Sequence, residues 1–159
     1  MNSGCTCRPP SVPAVDAGSV AELQRAADLA LLPQAAGDFT AQQAAEALAR
    51  TNDTPSLEGV IAGATKNGVR FNAPHQIYGR KLLALYCATV DSLDGAIVTV
   101  CEYPSPDQAK RGETEMKIIG STMPGFQSAV RKKSVLQLVT RSDTPPGTIE
   151  QIRAAFDSL

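Results

Sequence analysis

The fold is decided by residues 86–103, YCATVDSLDGAIVTVCEY, in which two β-rich runs flank a short polar turn. The turn is Leu93-Asp94-Gly95, and a three-residue hairpin loop commonly places glycine in a left-handed conformation at its last position. The runs extend outward to residues 82–91 and 96–103, which carry the β-prone residues valine, threonine and tyrosine. The sequence therefore predicts a β-hairpin across these two segments.

The register of this hairpin follows from Gly95, because it places Ser92 opposite Ala96. Counting outward from that pair, Cys87 faces Cys101. If Ser92 and Ala96 are a hydrogen-bonded pair, the cysteines occupy a non-hydrogen-bonded pair, where Cα atoms approach to ~4.5 Å. That separation lies at the short end of the range that admits a disulfide. The pattern favours a structural disulfide, and two packed free thiols or a redox-active pair are the alternatives.

The chain beyond the hairpin predicts a helix, one or two strands and a final helix. Ser105-Pro106-Asp107-Gln108 is typical of a helix start, and Gly120 is a suitable end. A β-rich run covers 127–140 and contains Lys132-Lys133, where it can break into two strands. The order from residue 82 is strand, strand, helix, strand(-strand), helix. It predicts an α+β fold with an antiparallel sheet and both of these helices on one face.

The N-terminal part of the chain divides into a leader and a helical segment. Residues 1–18 lack any helical or strand period and are rich in Pro, Ser and Gly, as in a flexible tether. Residues 19–68 carry capping boxes and helical spacing, although 57–66 also fits a strand. Because both hairpin faces are apolar, we expect this segment to pack on the second face of the sheet. The predicted organisation is a single domain, 19–159, whose sheet and two helices lie in 82–159.

Within the leader, Ser3-Gly4-Cys5 resembles the end of a bacterial lipobox, in which small residues precede a lipidated cysteine. The resemblance covers three residues. It departs from the pattern at Asn2, where an aliphatic residue is usual, and polar residues follow Met1 where a signal segment would be apolar. The resemblance implies a lipid anchor at Cys5 in front of a tether. The alternative is a disordered leader in which Cys5 and Cys7 are incidental thiols.

Composition narrows the classes of function. The net charge is −1 and aromatic residues make up 4% of the chain, which gives no electrostatic or stacking basis for binding nucleic acid. No apolar run reaches the ~18 residues of a membrane span. The cysteine spacing matches no common zinc pattern and the chain has one histidine, so we expect neither a metal nor a cofactor.

Three polar side chains are candidates for a pocket. Glu102 shares a strand face with Tyr86 and several valines, so it is either a desolvated carboxylate or one paired with a lysine or arginine, and we expect the pair. His75 lies in a proline-flanked segment, where a solvated loop residue is expected. None of the common catalytic or nucleotide-binding motifs is present.

These observations lead to three hypotheses of function. The first is a non-catalytic domain of the bacterial cell envelope, periplasmic or anchored to the outer membrane as a lipoprotein, which binds an unidentified protein or small ligand or acts as a structural module. The second is a small enzyme or ligand-binding domain with a pocket between the sheet and the N-terminal helices, built from Tyr86, Glu102 and His75. The third is a cytoplasmic thiol-redox protein that uses Cys87 and Cys101.

Overall fold

A computed structural model describes residues 39–159 of the chain. The fold described below is that of the compact unit Ala41–Leu159. The predicted leader, the predicted helix that follows it, Cys5 and Cys7 lie outside the described residues. The predicted division into a leader and one domain therefore stays a prediction.

This unit is an α+β domain built on a five-stranded antiparallel sheet of strand order β1-β2-β3-β5-β4. The predicted fold class and the order of elements after residue 82 are confirmed. The described elements are α1 (residues 39–48), α2 (Leu57–Lys66), β1 (His75–Ile77), a 3-10 helix (Gly79–Leu82), β2 (Tyr86–Asp91), β3 (Ala96–Glu102), α3 (Pro106–Gly120), β4 (Gln127–Arg131), β5 (Ser134–Thr140) and α4 (Pro146–Asp157).

The central hairpin, β2 and β3, has the predicted loop and register. Gly95 adopts a left-handed backbone with φ +91°. The amide of Ser92 donates to the carbonyl of Ala96 at 2.7 Å, which closes the loop. Further out along the ladder, Cys87 lies opposite Cys101. The chemistry of a short loop therefore sets every cross-strand pair of the hairpin.

The start of β2 differs from the prediction, because the strand begins at Tyr86 and not at residue 82. The residues before it form the 3-10 helix, which ends at Leu83 in a left-handed conformation with φ 58°. This conformation interrupts the alternation of a strand. Ala84 consequently packs with the cysteine side of the sheet, away from the face that carries Tyr86. Between α2 and the 3-10 helix, the chain forms the short edge strand β1, which pairs with β2.

Each face of the sheet is covered by helices. α3 covers the face that carries the cysteines, and α2 and α4 cover the opposite face. The predicted packing of the N-terminal helical segment on the second face is thus confirmed for α2. The prediction that both C-terminal helices lie on one face is wrong, because α4 packs with α2 and α3 lies on the opposite face. The buried residues on the α3 face are Cys87, Cys101, Tyr103, Ala109, Met116 and Val135. The buried residues on the face covered by α2 and α4 are Leu57, Val60, Ala64, Val69, Tyr86, Ala88, Val90, Ala96, Val98, Val100, Leu136, Leu138, Ile152, Ala155 and Phe156.

The helix boundaries follow local capping chemistry. The Ser105 hydroxyl accepts a hydrogen bond from the amide of Gln108 at 3.3 Å, and α3 ends at Gly120, both as predicted. The ambiguous segment 57–66 is helical. α4 begins at Pro146 and has no side-chain cap.

Candidate functional site

Two of the three pocket candidates meet where β2 begins and β3 ends. Tyr86 and Glu102 are cross-strand partners on the face covered by α2 and α4. Tyr86 is 8% exposed and Glu102 is 1% exposed, so a carboxylate is enclosed beside an aromatic ring. Burial raises the pKa of Tyr86 above its ordinary value of 10.0. A buried carboxylate needs a partner, and an arginine provides it.

That arginine is Arg50, in the loop between α1 and α2. Its Nε and Nη2 donate to Oε1 of Glu102 at 3.1 and 2.8 Å. The guanidinium also lies over the Tyr86 ring, 4.2 Å from the centroid, as in a cation–π contact. Glu102 is therefore the arginine-paired carboxylate that was expected from the sequence.

The same guanidinium also binds Glu58 in the first turn of α2. Nη1 and Nη2 of Arg50 donate to the two Glu58 oxygens at 2.8 and 2.7 Å, a bidentate pair. Hydrogen bonding by Arg50 lowers the pKa of Glu58 from 4.5 to about 2. Hydrogen bonding to Glu58, and then to Glu102, raises the pKa of Arg50. We call these four residues, Arg50, Glu58, Tyr86 and Glu102, the Arg50 cluster.

One oxygen of the cluster lacks a donor. Oε2 of Glu102 is buried and has no hydrogen-bond partner within residues 39–159. Its cross-strand neighbour Ser134 donates its hydroxyl proton to the Pro55 carbonyl at 2.6 Å. Thr54 must then donate to Ser134, 2.7 Å away. The hydroxyl protons of Ser134 and Thr54 are therefore used in other hydrogen bonds. Oε2 of Glu102 is desolvated without a hydrogen bond to compensate, which destabilises the fold.

A cleft of about 440 Å³ opens beside the Arg50 cluster, within the α1–α2 connection. Its lining also includes Thr51, Asn52, Thr54, Ser56 and Ala47. The Thr54 hydroxyl is already bonded to Ser134, and the Ser56 hydroxyl oxygen accepts from the amide of Gly59. Because the guanidinium is already engaged by two carboxylates, the groups left to bind a ligand are neutral. Such a cleft suits a small polar ligand held by hydrogen bonds.

His75 lies apart from this site. It is an exposed residue of β1, paired with Thr89 across the strands. Cross-strand partners project to the same face of a sheet, and Thr89 shares its face with Cys87. Tyr86 and Glu102 project to the other face. The three pocket candidates therefore do not form one site.

The two hairpin cysteines are joined in a disulfide. Their Cα atoms are 4.1 Å apart and their sulfurs 1.99 Å apart. Both residues are fully buried beneath α3, against Met116, Val135 and Ala84 among others. A reactive cysteine needs solvent access and an electropositive setting. Full burial gives this pair the character of a structural crosslink.

Two residues of the cluster, Arg50 and Glu58, were missed by sequence reasoning, and so was a buried carboxylate outside it. A carboxylate among valines at Glu102 does signal that some cation must pair with it, but not which one. Glu46 in α1 is 8% exposed and accepts hydrogen bonds from the amides of Gly79 and Arg80 at 3.0 and 3.1 Å. No periodicity identifies that contact, because it joins residues far apart in the chain.

No protein-family model, curated protein or solved structure matches this chain. Across the described part of the chain, every helix is too short or too polar to cross a membrane. Residues 39–159 also contain no group of three or more His, Cys, Asp or Glu side chains placed to hold a metal ion. The function must therefore be inferred from the crosslink, the Arg50 cluster and the surface.

Proposed function

We propose that this chain is a non-catalytic binding or structural domain that works in an oxidising compartment, the bacterial cell envelope. The observation that carries the proposal is the buried Cys87–Cys101 disulfide. Disulfides persist in the periplasm and outside the cell, whereas cytoplasmic thiols are kept reduced. The finer part of the proposal is a lipid anchor at Cys5, which rests on the lipobox resemblance and lies outside the described residues.

The energetic role of the crosslink supports this assignment. The cysteines are separated by 14 residues in sequence, and closing a loop of about 15 residues contributes at most about 3 kcal/mol on the chain-entropy model. That is a large share of the 5 to 15 kcal/mol by which domains are typically stable. Burial of both sulfurs also favours a permanent crosslink over the thiol-redox alternative, since exchange needs an accessible sulfur.

Cell fractionation tests the compartment and the anchor together. The full chain is expressed with a C-terminal tag in the organism that encodes it. We expect the protein in the envelope fraction, and we expect it to incorporate labelled palmitate. A Cys5→Ala variant should lose the label, whereas the matched Cys7→Ala variant should keep it. Recovery of the tagged protein in the cytoplasm, without palmitate, would contradict the proposal.

A second candidate function is the binding of a small polar ligand at the cleft beside the Arg50 cluster. The observation that favours it is the lining of the cleft, a space of about 440 Å³ bounded almost entirely by polar side chains with the Arg50 guanidinium at its wall. A panel of small polyols and saccharides, titrated into isotopically labelled protein, should shift the amide resonances of 51–56. Asn52→Ala, at an exposed residue of the lining, should weaken these shifts, and a panel that shifts none of them would exclude this function.

A further inference from the structure

A second concave surface lies on the other side of the sheet, between the 3-10 helix and α3. It is a groove of about 480 Å³ lined by Arg80, Leu83, Ala84, Gln108 and Arg111. The groove is separate from the Arg50 cluster, which lies on the face covered by α2 and α4. We refer to these five residues as the Leu83 groove.

Leu83 is the least expected residue of this groove. It holds a left-handed backbone with φ 58°, a conformation that residues with a Cβ rarely adopt, and glycine is the usual residue at such a helix end. Its side chain is nevertheless large, apolar and 67% exposed. A strained residue that gains so little from packing within its own chain is typical of a contact site for another molecule.

The charge of the groove comes from Arg80 and Arg111, both of which are exposed. Within the described part of the chain, neither guanidinium makes a hydrogen bond or an ion pair; the bond from Arg80 to Glu46 uses the backbone amide. That bond fixes the start of the 3-10 helix, and Arg111 is fixed on α3. The groove thus presents two unpaired cations beside an apolar wall.

We propose that the Leu83 groove binds an acidic segment of a partner protein. An apolar side chain of the partner packs on Leu83 and Ala84, and its carboxylates pair with Arg80 and Arg111. Guanidinium groups favour carboxylates because they form two parallel hydrogen bonds to them. A concave surface receives a projecting side chain, whereas a flat membrane does not fill it. This inference rests on the proposed function of a binding domain and names the chemistry of its partner.

Peptide display on the full chain tests the inference. A random dodecapeptide library is selected on the folded protein and counter-selected on the Arg80→Glu/Arg111→Glu variant. The enriched peptides should carry aspartate or glutamate next to leucine or phenylalanine. A synthetic peptide of the enriched sequence should bind the double variant about tenfold more weakly or worse. Arg153→Glu, on α4, is the matched control and should leave the affinity unchanged.

Leu83→Gly separates binding from folding. This change relaxes the left-handed backbone, so it should weaken peptide binding while leaving the thermal unfolding midpoint unchanged or raised. Two results would overturn the inference: enriched peptides without acidic residues, or equal binding to wild type and to the double variant. Absence of any enrichment would also overturn it.

Phosphatidylglycerol vesicles distinguish a membrane from a partner protein. Binding to these vesicles that depends on Leu83, without selection of acidic peptides, would replace the inferred partner with an anionic membrane. Each failure concerns the groove alone. The oxidation state of Cys87 and Cys101 and the fractionation of the chain report separately on the proposed compartment.

Discussion

Removal of the Arg50 guanidinium should destabilise the domain strongly, because it leaves a charge buried without a partner. The change Arg50→Met keeps an apolar side chain over Tyr86 but leaves the carboxylate of Glu102, which is 1% exposed, without its cationic partner. Loss of one member of a buried ion pair typically costs 3 to 5 kcal/mol. The Arg50 side chain is 26% exposed, so water can partly reach the site. We therefore expect a loss of about 3 kcal/mol, the low end of that range.

Three further variants give the energetic account its internal control. Glu102→Gln keeps an oxygen that accepts from Arg50, and should cost about 1 to 2 kcal/mol. The double variant Arg50→Met/Glu102→Met replaces the pair with apolar side chains and buries no charge, so it should be more stable than Arg50→Met alone. Glu58→Gln alters the pair whose carboxylate is 55% exposed. It should cost about 1 kcal/mol or less.

Urea unfolding at neutral pH measures all four variants. The midpoints should shift while the slope m stays constant, since the area exposed on unfolding is the same. A loss below about 1 kcal/mol for Arg50→Met, as for an exposed pair, would refute the reasoning. Additive losses in the double variant would refute it as well, because they would show that Glu102 does not depend on Arg50.

Three other perturbations test separate parts of the structure. Gly112→Ala should cost about 3 kcal/mol in urea unfolding, since its new Cβ would overlap the Tyr103 ring. The control Gly147→Ala has no atom within 4 Å of the added Cβ, so it should be neutral or stabilise by up to about 1 kcal/mol. Equal effects of the two changes would contradict this packing. The lowered pKa of Glu58 contributes stability above pH 4.5 that is lost as the pH falls towards about 2. Because solvent screens the exposed pair, this contribution to the free energy of unfolding is about 1 kcal/mol or less. Urea unfolding measured between neutral and acid pH should show it in the wild type and not in Glu58→Gln. The same pH dependence in both proteins would count against the ion pair. Leu83→Gly should raise stability by up to about 1 kcal/mol in thermal unfolding, and a clear loss would show that Leu83 packs within its own chain.

The parts of the fold that were predicted depend on local chemistry. Gly95 fixes a loop, the loop fixes the register, and the period of two then places Cys87 opposite Cys101. The start of α3 was found in the same way, from the capping sequence at Ser105. In each case the residues that decide the structure are close together in the chain.

The parts that were not predicted depend on contacts between distant residues. Arg50 and Glu102 are 52 positions apart, and no spacing rule connects a loop arginine to a strand end. The left-handed Leu83 interrupts a run whose composition is typical of a strand, so the first strand was drawn too long. α4 packs in one cluster with α2, and no spacing rule connects residues as far apart as Val60 and Ile152.

The state of Cys87 and Cys101 in the native protein tests the central claim most directly. Protein from its own cell is quenched in acid, unfolded, alkylated, reduced and alkylated with a second reagent, and its peptides are then identified by mass spectrometry. The account predicts that both cysteines carry only the second reagent and that the unreduced digest contains the linked peptides. Labelling of both cysteines by the first reagent would show free thiols and contradict the proposed oxidising compartment.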